Sequence, residues 1–393
     1  MWRTEQRLIA FMAAGYLWFL LGIAWAPSNK LYQQGLVVLL WLPALVSAVV
    51  FRSSLVATWQ SARTYCTLLL ALAGWAAISC LWSDSVDPVR HLKRVLFVLL
   101  FLSGLVVLSS ERPRAIWKGL AVGFVGLALS GGVGIYVFYV RDMHSLVERL
   151  QGIGEVSHPI LGAYVMAIAA IWGVLSFPQG LARRLVWFGL LLLVMLFIAL
   201  GQSRGAMLAL AVGIGCMPLL GGGRGTWICC LVLVIAAGVG YHTFEPLILQ
   251  RGLSYRPEIF LASVEMIMRH PLQGIGIGTP YRVVTANYPA GFDHSHNAFT
   301  HVGIQLGLVG VALWTMAWAS AVWTAWQHRR SREGRLVLGS LIVSFVALQF
   351  DAASLWGTPR AEWFVTWLPL GLALALVARR QGDRLRTGYS LAS

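Results

Sequence analysis

The chain has 393 residues, of which 58% are hydrophobic and only 11% charged, and its mean hydropathy is +0.72. A soluble domain carries about 25% charged residues because its outside faces water, so this composition excludes a soluble globular protein and requires most of the surface to face lipid. Lys and Arg outnumber Asp and Glu 30 to 15, but the bases lie between apolar runs and not on a polar domain, which excludes a nucleic-acid-binding module and suits contact with anionic membrane lipids.

A hydrocarbon core of about 30 Å takes about 20 apolar residues in a helix. Runs of that kind occur at 8–26, 33–51, 64–82, 95–110, 116–139, 158–177, 185–200, 205–220, 226–243, 298–325, 336–351 and 363–378. They predict an all-α polytopic membrane protein of roughly twelve transmembrane helices. The first run follows Arg3 and Arg7 and ends at Ala24-Trp25-Ala26, a pattern that imitates a cleavable signal peptide. Its length exceeds a typical signal-peptide apolar region, and Trp25 and Pro27 suit a span end, so a retained helix is expected. Cys66, Cys80, Cys216, Cys229 and Cys230 all fall inside apolar runs without a CxxC or Cys/His pattern. They predict packed thiols, not disulfides or metal ligands.

Alternating the loops from a cytoplasmic N-terminus places 18 basic residues inside and 12 outside, which favours that orientation with both termini cytoplasmic. The chain then divides into nine spans over 1–243, one long periplasmic loop over 244–297, and three further spans with a cytoplasmic tail over 298–393. Long loops in compact proteins are usually functional. Within this one, Pro257-Glu258 opens a helix, and Phe260, Val264, Ile267 and Met268 recur on one apolar face. His270-Pro271 stops it, and Gly274-Ile-Gly-Ile-Gly278 follows as a flexible turn. The pattern predicts a short amphipathic helix lying at the outer interface. The glycines are not a dinucleotide fingerprint, since no strand precedes them. No P-loop or GxSxG elbow occurs, so ATP hydrolysis and serine-hydrolase chemistry have no support.

The strongest chemical constellation is His294-Ser295-His296-Asn297, where the long loop re-enters the membrane. Histidine titrates near neutrality and can take a proton from a hydroxyl nucleophile. The bland alternative is an interfacial imidazole satisfying a helix end. Asp293, His294 and His296 are also possible metal ligands, but standard zinc motifs space their pairs differently and no further ligand stands nearby in sequence. Arg204 follows Gln202-Ser203 at a tight outer hairpin, with Gly205 leaving room. Its planar guanidinium suits a bidentate grip on phosphate, against the simpler role of a snorkelling anchor. Arg256, before the loop helix, faces the same choice, and Arg282, Arg269 and Arg251 follow it. Arg90, Lys93 and Arg94 stand at the outer start of a span, against the positive-inside pattern. Arg141 and Arg149 read as part of a solvated, mixed-charge loop, and Asp84, Asp87, Asp351 and Glu362 as partners for the outer arginines.

Ser203-Arg204-Gly205, Arg256, His270-Pro271 running into Gly274-Ile-Gly-Ile-Gly278, His296-Asn297 and Gly307-Leu308-Val309-Gly310 follow in that order. This string resembles the O-antigen ligase/polymerase superfamily of bacterial envelopes over about 200–312, and the single long outer loop is most similar to the lipopolysaccharide O-antigen ligase. The resemblance implies an undecaprenyl-diphosphate-linked O-antigen donor and a lipid A–core acceptor. It implies transfer at the periplasmic face of the inner membrane, with inversion and without a nucleotide, metal or other cofactor. It further implies His296 as general base and Arg204 and Arg256 as diphosphate ligands, with Arg282, Arg90 and Arg94 as further candidates for that set. His294 is an additional imidazole that the family pattern does not demand, so either histidine remains open as the base. Rival readings are an O-antigen polymerase, a protein-glycosylating ligase, a secondary transporter and a non-catalytic assembly protein. Against transport, the candidate groups lie at the outer boundary and no half-repeat is visible.

Overall fold

The computed structural model describes residues 2–217, 255–351 and 355–390, with positions 231, 235 and 238. Most of the span expected at 226–243 lies outside the described residues, with Arg224, Cys229, Cys230, Arg251 and the first part of the long loop. Most of the described chain is helical: α1 (Trp2–Trp25), α2 (Asn29–Leu36), α3 (Leu42–Val50), α4 (Arg52–Ser61), α5 (Arg63–Ile78), α6 (Pro88–Glu111) and α7 (Pro113–Ile135). After these come α8 (Pro159–Leu175), α9 (Leu181–Leu200), α10 (Arg204–Cys216), α11 (Arg256–Arg269), α12 (Ala298–Gln327), α13 (Arg332–Ala347), α14 (Ala361–Val365) and α15 (Trp367–Ser390). A π-helical turn, Val37–Trp41, joins α2 and α3 into one span, and another, Tyr136–Arg141, extends α7. Among the described residues, seven helices are long and apolar enough to cross a membrane, and α8 and α10 are shorter apolar helices.

Two sets of contacts define the two ends of the bundle. At one end Ser54 meets Glu111 at 3.2 Å, Arg332 donates to the Leu175 carbonyl at 2.6 Å, and Arg379 pairs with Glu333 at 2.7 Å. At the other, Ile277 donates to Ser79 at 3.1 Å, Ala298 to the Leu348 carbonyl at 2.8 Å, and Arg360 pairs with Glu155 at 3.4 Å. Two helices are buried along twelve successive residues each, α8 from Gly162 to Gly173 and α15 from Trp367 to Ala378. The perimeter is apolar instead: Leu185, Val186, Leu192 and Leu196 of α9 are exposed. An exposed apolar face of that kind is stable against hydrocarbon and costly against water.

The long α12 is broken, because Gly307 lies at φ 66°, ψ −171°. The break frees backbone carbonyls that must find donors inside the protein. Ile275 and Gly276 donate to the Ile304 and Gln305 carbonyls at 2.9 Å each, and the Trp75 indole donates to Leu306 at 2.9 Å. The glycine-rich turn therefore docks on the break instead of swinging free, with Gly274 at φ 68°. A Cβ at Gly307 would fall on the Leu272 carbonyl. Gly307→Ala is expected to destabilise the protein by about 2–3 kcal/mol through left-handed strain and overlap, seen as a lower melting temperature in detergent. An unchanged melting temperature would mean that the break relaxes without cost.

Two features differ from the sequence expectation. The fold is not purely helical, because Val283–Thr285 (β1) and Tyr288–Phe292 (β2) form an antiparallel hairpin with Val283 opposite Phe292 and Thr285 opposite Tyr288. Pro289 within the second strand obscured it in the sequence, since proline removes a ladder donor. In α11, the buried face is Ile259, Ser263 and Ile267. Phe260, Val264 and Met268, expected on one apolar face together with Ile267, are exposed, whereas Ile267 is buried. The helix thus has one apolar side against the protein and a second facing outward.

Candidate active site

The chemistry-bearing groups gather at the end of the bundle where α8, α10, α11 and α12 begin. Ser203 caps α10, accepting from the Ala206 N–H at 3.4 Å, and sets Arg204 in the first turn. Tyr255 in the left-handed region at φ 58° turns the chain into α11, so that Arg256 is its first residue and Pro257 follows without an orphan N–H. Both helices bring their N-terminal, positive ends to one cavity, lined by Arg204, Gly205, Arg256 and Pro257. The cavity has a volume of about 510 Å³, and its wall also includes Arg149, Tyr164, Gln202 and Phe350. Three guanidiniums, two of them at helix N-termini, make an environment for an anion. The Tyr164 hydroxyl on the same wall is buried and has no hydrogen-bond partner among the described residues. Gly205 makes room for that ring, since a Cβ there would fall on the Tyr164 hydroxyl oxygen.

Arg149 was expected in a solvated loop. It reaches this cavity because its Nε donates to the Gly201 carbonyl at 3.0 Å, while Leu150 N–H bonds the Leu200 carbonyl at 3.0 Å. Arg256 ties the cavity to the histidines, donating from Nη1 to the carbonyls of His296, at 3.1 Å, and Phe350.

His294 and His296 converge on one buried carboxylate, Asp351. His294 Nε2 lies 3.2 Å and His296 Nδ1 3.4 Å from the same oxygen, Oδ1. His294 Nδ1 is held in turn by Asp293 at 2.7 Å. Both ring nitrogens of His294 are thereby engaged, whereas His296 Nε2 makes no hydrogen bond among the described residues. His296 sits at φ 50°, a left-handed conformation that non-glycine residues rarely adopt and that recurs at functional sites. Asn297 caps α12, its side chain accepting from Phe299 and Thr300 N–H at 2.8 and 3.2 Å. That cap fixes the residue just before it. Asp351 was expected to pair with an outer arginine; its hydrogen-bonding partners are the two imidazoles.

Burial alone would raise the Asp351 carboxyl, but hydrogen bonds from His294 and His296 and their charge hold it well below the ordinary carboxylate range. Burial pulls the His294 imidazole down, yet the hydrogen bonds and charges of Asp351 and Asp293 outweigh it and carry its pKa above the ordinary value. The two shifts act in different pH windows. The lowered carboxyl contributes stability above its unfolded pKa of about 3.9 and loses it only in strong acid. The raised imidazole contributes fully below its unfolded pKa of about 6.5 and loses that contribution as pH rises through the folded value. Melting temperature is therefore expected to fall as pH rises from about 6.5, and Asp351→Asn to flatten the fall. Equal slopes in wild type and variant would show that the pair does not govern it.

The cluster also answers the metal question differently from the sequence, where no further ligand was near. His294, His296 and Asp351 present three ligand atoms within 4.8 Å of one another, a set that can hold a divalent cation. The other arginines expected at the site lie elsewhere. Arg282 bonds across the hairpin to the Ala290 carbonyl at 2.9 Å and lines a separate cavity. Arg90 is exposed and pairs with Asp87 at 3.0 Å, and Arg94 lies one turn further along α6, outside the wall of the arginine cavity. His158, unmarked in the sequence, caps α8 by accepting from Ile160 and Leu161 N–H through Nδ1 at 3.3 and 3.2 Å. Its own pKa is lowered by burial, partly offset by the Asp351 charge.

A lipid-facing helical perimeter with a cationic cavity and a histidine–carboxylate cluster at one end of the bundle defines a polytopic membrane protein with a polar site at its boundary. A family model described as O-antigen ligase matches residues 189–315, the stretch that holds Arg204, Arg256, His294 and His296. A curated O-antigen ligase of Pseudomonas aeruginosa is 27% identical over 384 residues, covering 96% of this chain and 94% of that protein. The chain is thus similar to an O-antigen ligase over nearly its whole length, and the stretch that holds the candidate site matches the family model of that description.

Proposed function

We propose that the protein transfers an O-antigen glycan from undecaprenyl diphosphate to a sugar hydroxyl of lipid A–core, at the periplasmic face of the inner membrane. The observation that carries this reading is the union of an arginine-walled cavity with a histidine whose free nitrogen is backed by a buried carboxylate. The donor's diphosphate occupies the cavity on Arg149, Arg204 and Arg256, and its polyprenyl tail lies along the apolar perimeter. The acceptor oxygen attacks the anomeric carbon from the face opposite the diphosphate. The bond from that carbon to the diphosphate oxygen breaks with its electron pair, so the configuration inverts. His296 Nε2 takes the hydroxyl proton, a step worth typically 10²–10⁴-fold, and Asp351 stabilises the imidazolium that results. The guanidiniums neutralise the charge developing on the leaving group, the task that a divalent cation performs in metal-dependent enzymes. The reaction in this reading needs no metal. Roughly twelve spans, cytoplasmic termini and a periplasmic site belong to the same proposal. The basic loops expected inside, around Arg112, Arg184 and Arg332, lie at the end of the bundle away from the site, which supports it.

The test is transfer in vitro from an undecaprenyl-diphosphate glycan to purified lipid A–core with EDTA present, using wild type, His296→Ala and Arg204→Ala. Transfer that survives chelation in wild type and collapses in both variants is expected. Extension of the lipid-linked glycan without transfer to lipid A–core would make the protein a polymerase. A folded preparation that turns over no acceptor would favour transport.

A further inference from the structure

A second cavity, of about 560 Å³, adjoins the histidine cluster through Asp293, with Thr279, Tyr281, Arg282, His301 and Gln305 also in its wall. It is built by the end of the glycine-rich turn, the hairpin and the first two turns of α12. Asp293 belongs both to this wall and to the cluster, because its carboxylate holds His294 Nδ1 at 2.7 Å. From there hydrogen bonds run without interruption through His294 to Asp351, to His296, and from the His296 carbonyl to Arg256 in the first cavity. The two cavities therefore flank one chain of titratable groups.

Behind the wall lies an unmet polar group. His301 is 3% exposed, and its Nδ1 lies 2.7 Å from the Tyr281 hydroxyl. Its Nε2 is buried without a hydrogen-bond partner among the described residues. On its other side His301 borders a void of about 10 Å³ shared with Asp351. Buried polar atoms in native proteins are nearly always paired with protein, water or ligand. Guanidinium, carboxylate, carboxamide, imidazole and hydroxyl groups around a tyrosine ring suit a hydroxyl-rich ring that stacks on the aromatic face and hydrogen-bonds at its edges. The volume lies within the range of about 300–1,000 Å³ typical of small-ligand pockets. The same wall offers little to a polyprenyl chain.

We infer that this second cavity seats the acceptor sugar and delivers its hydroxyl to the histidine cluster from the side opposite the donor's diphosphate. The inference rests on the glycosyl-transfer reading above. Two-sided seating is what inversion requires, since nucleophile and leaving group occupy opposite faces of the anomeric carbon. It also gives Arg282 a different task from Arg204 and Arg256, contact with acceptor and not with diphosphate.

The experiment is steady-state transfer to lipid A–core purified without O-antigen, varying acceptor and donor separately, with full-length wild type, Gln305→Ala and Arg282→Ala. Each substitution is expected to raise the acceptor KM about tenfold, the equivalent of one or two hydrogen bonds, with kcat and donor KM changed by less than about twofold. Arg282 lies on the exposed hairpin, so its variant remains informative if Gln305→Ala fails to fold. Unchanged acceptor KM in the folded variants, or a rise in donor KM instead, overturns the placement while leaving the transferase reading intact. A wild type that glycosylates no lipid A–core defeats the parent reading and the placement with it, before any variant is compared.

Discussion

Replacing Asp351 with asparagine is expected to lower kcat for glycan transfer by about 10²–10⁴-fold, with the donor KM within a few-fold of wild type. The carboxylate touches no substrate in the proposed arrangement; it is a positioning residue acting through His296. Its single oxygen Oδ1 accepts from His296 Nδ1 and His294 Nε2, which keeps a proton on His296 Nδ1 and leaves Nε2 to accept the hydroxyl proton. A carboxamide can present an N–H to the same nitrogen, reversing the tautomer, and it supplies no charge to stabilise the imidazolium. A purely structural role would lower the melting temperature and the fraction of active protein together. Loss of the charge should instead lower kcat in protein that stays folded, with the donor KM held. Asp351→Glu, with the charge restored on a longer arm, should recover part of kcat. An Asp351→Asn enzyme with wild-type kcat would remove the carboxylate from the mechanism.

What could be read from the chain beforehand follows the range of the interactions concerned. Lipid acts on each segment separately, so the apolar runs at 8–26, 95–110 and 185–200 stand out locally and coincide with α1, α6 and α9. The interruption of α12 did not stand out, because Gly307 lies in an unbroken apolar run without proline and is explained only by the turn at 271–276 that packs on it. Nor did the inward face of α11, since both of its sides carry apolar residues and only tertiary packing selects Ile259 and Ile267 for burial. His294, His296, Arg204 and Arg256 were legible because each sits in an unusual local setting. Asp351 and Arg149 were not, because an acid beyond an apolar run and a base in a charged loop look ordinary. Their meaning comes from the helix ends that bring residue 351 to residue 296 and residue 149 to residue 201.

Among the arginines, Arg256 is expected to be the most costly to remove. Arg204→Ala should reduce kcat/KM for the lipid-linked donor by about 10²–10³-fold, the usual loss for one donor to a developing anion. Arg256→Ala should exceed that, because the same guanidinium walls the cavity and donates to the carbonyls of His296 and Phe350. Removing it frees the backbone that carries the base as well as a ligand of the diphosphate, so its melting temperature should fall too. Arg149 should matter less, since its Nε is committed to the Gly201 carbonyl. Arg256→Lys distinguishes charge from geometry. An ammonium restores the charge but is a point donor without the planar fork, so it cannot reach backbone carbonyls and a phosphate together, and activity should stay well below wild type. Full activity in Arg256→Lys would reduce the residue to a local positive charge. Donor kinetics within about threefold of wild type in all three alanine variants would place the diphosphate outside this cavity and detach the histidine cluster from the anion site proposed for it.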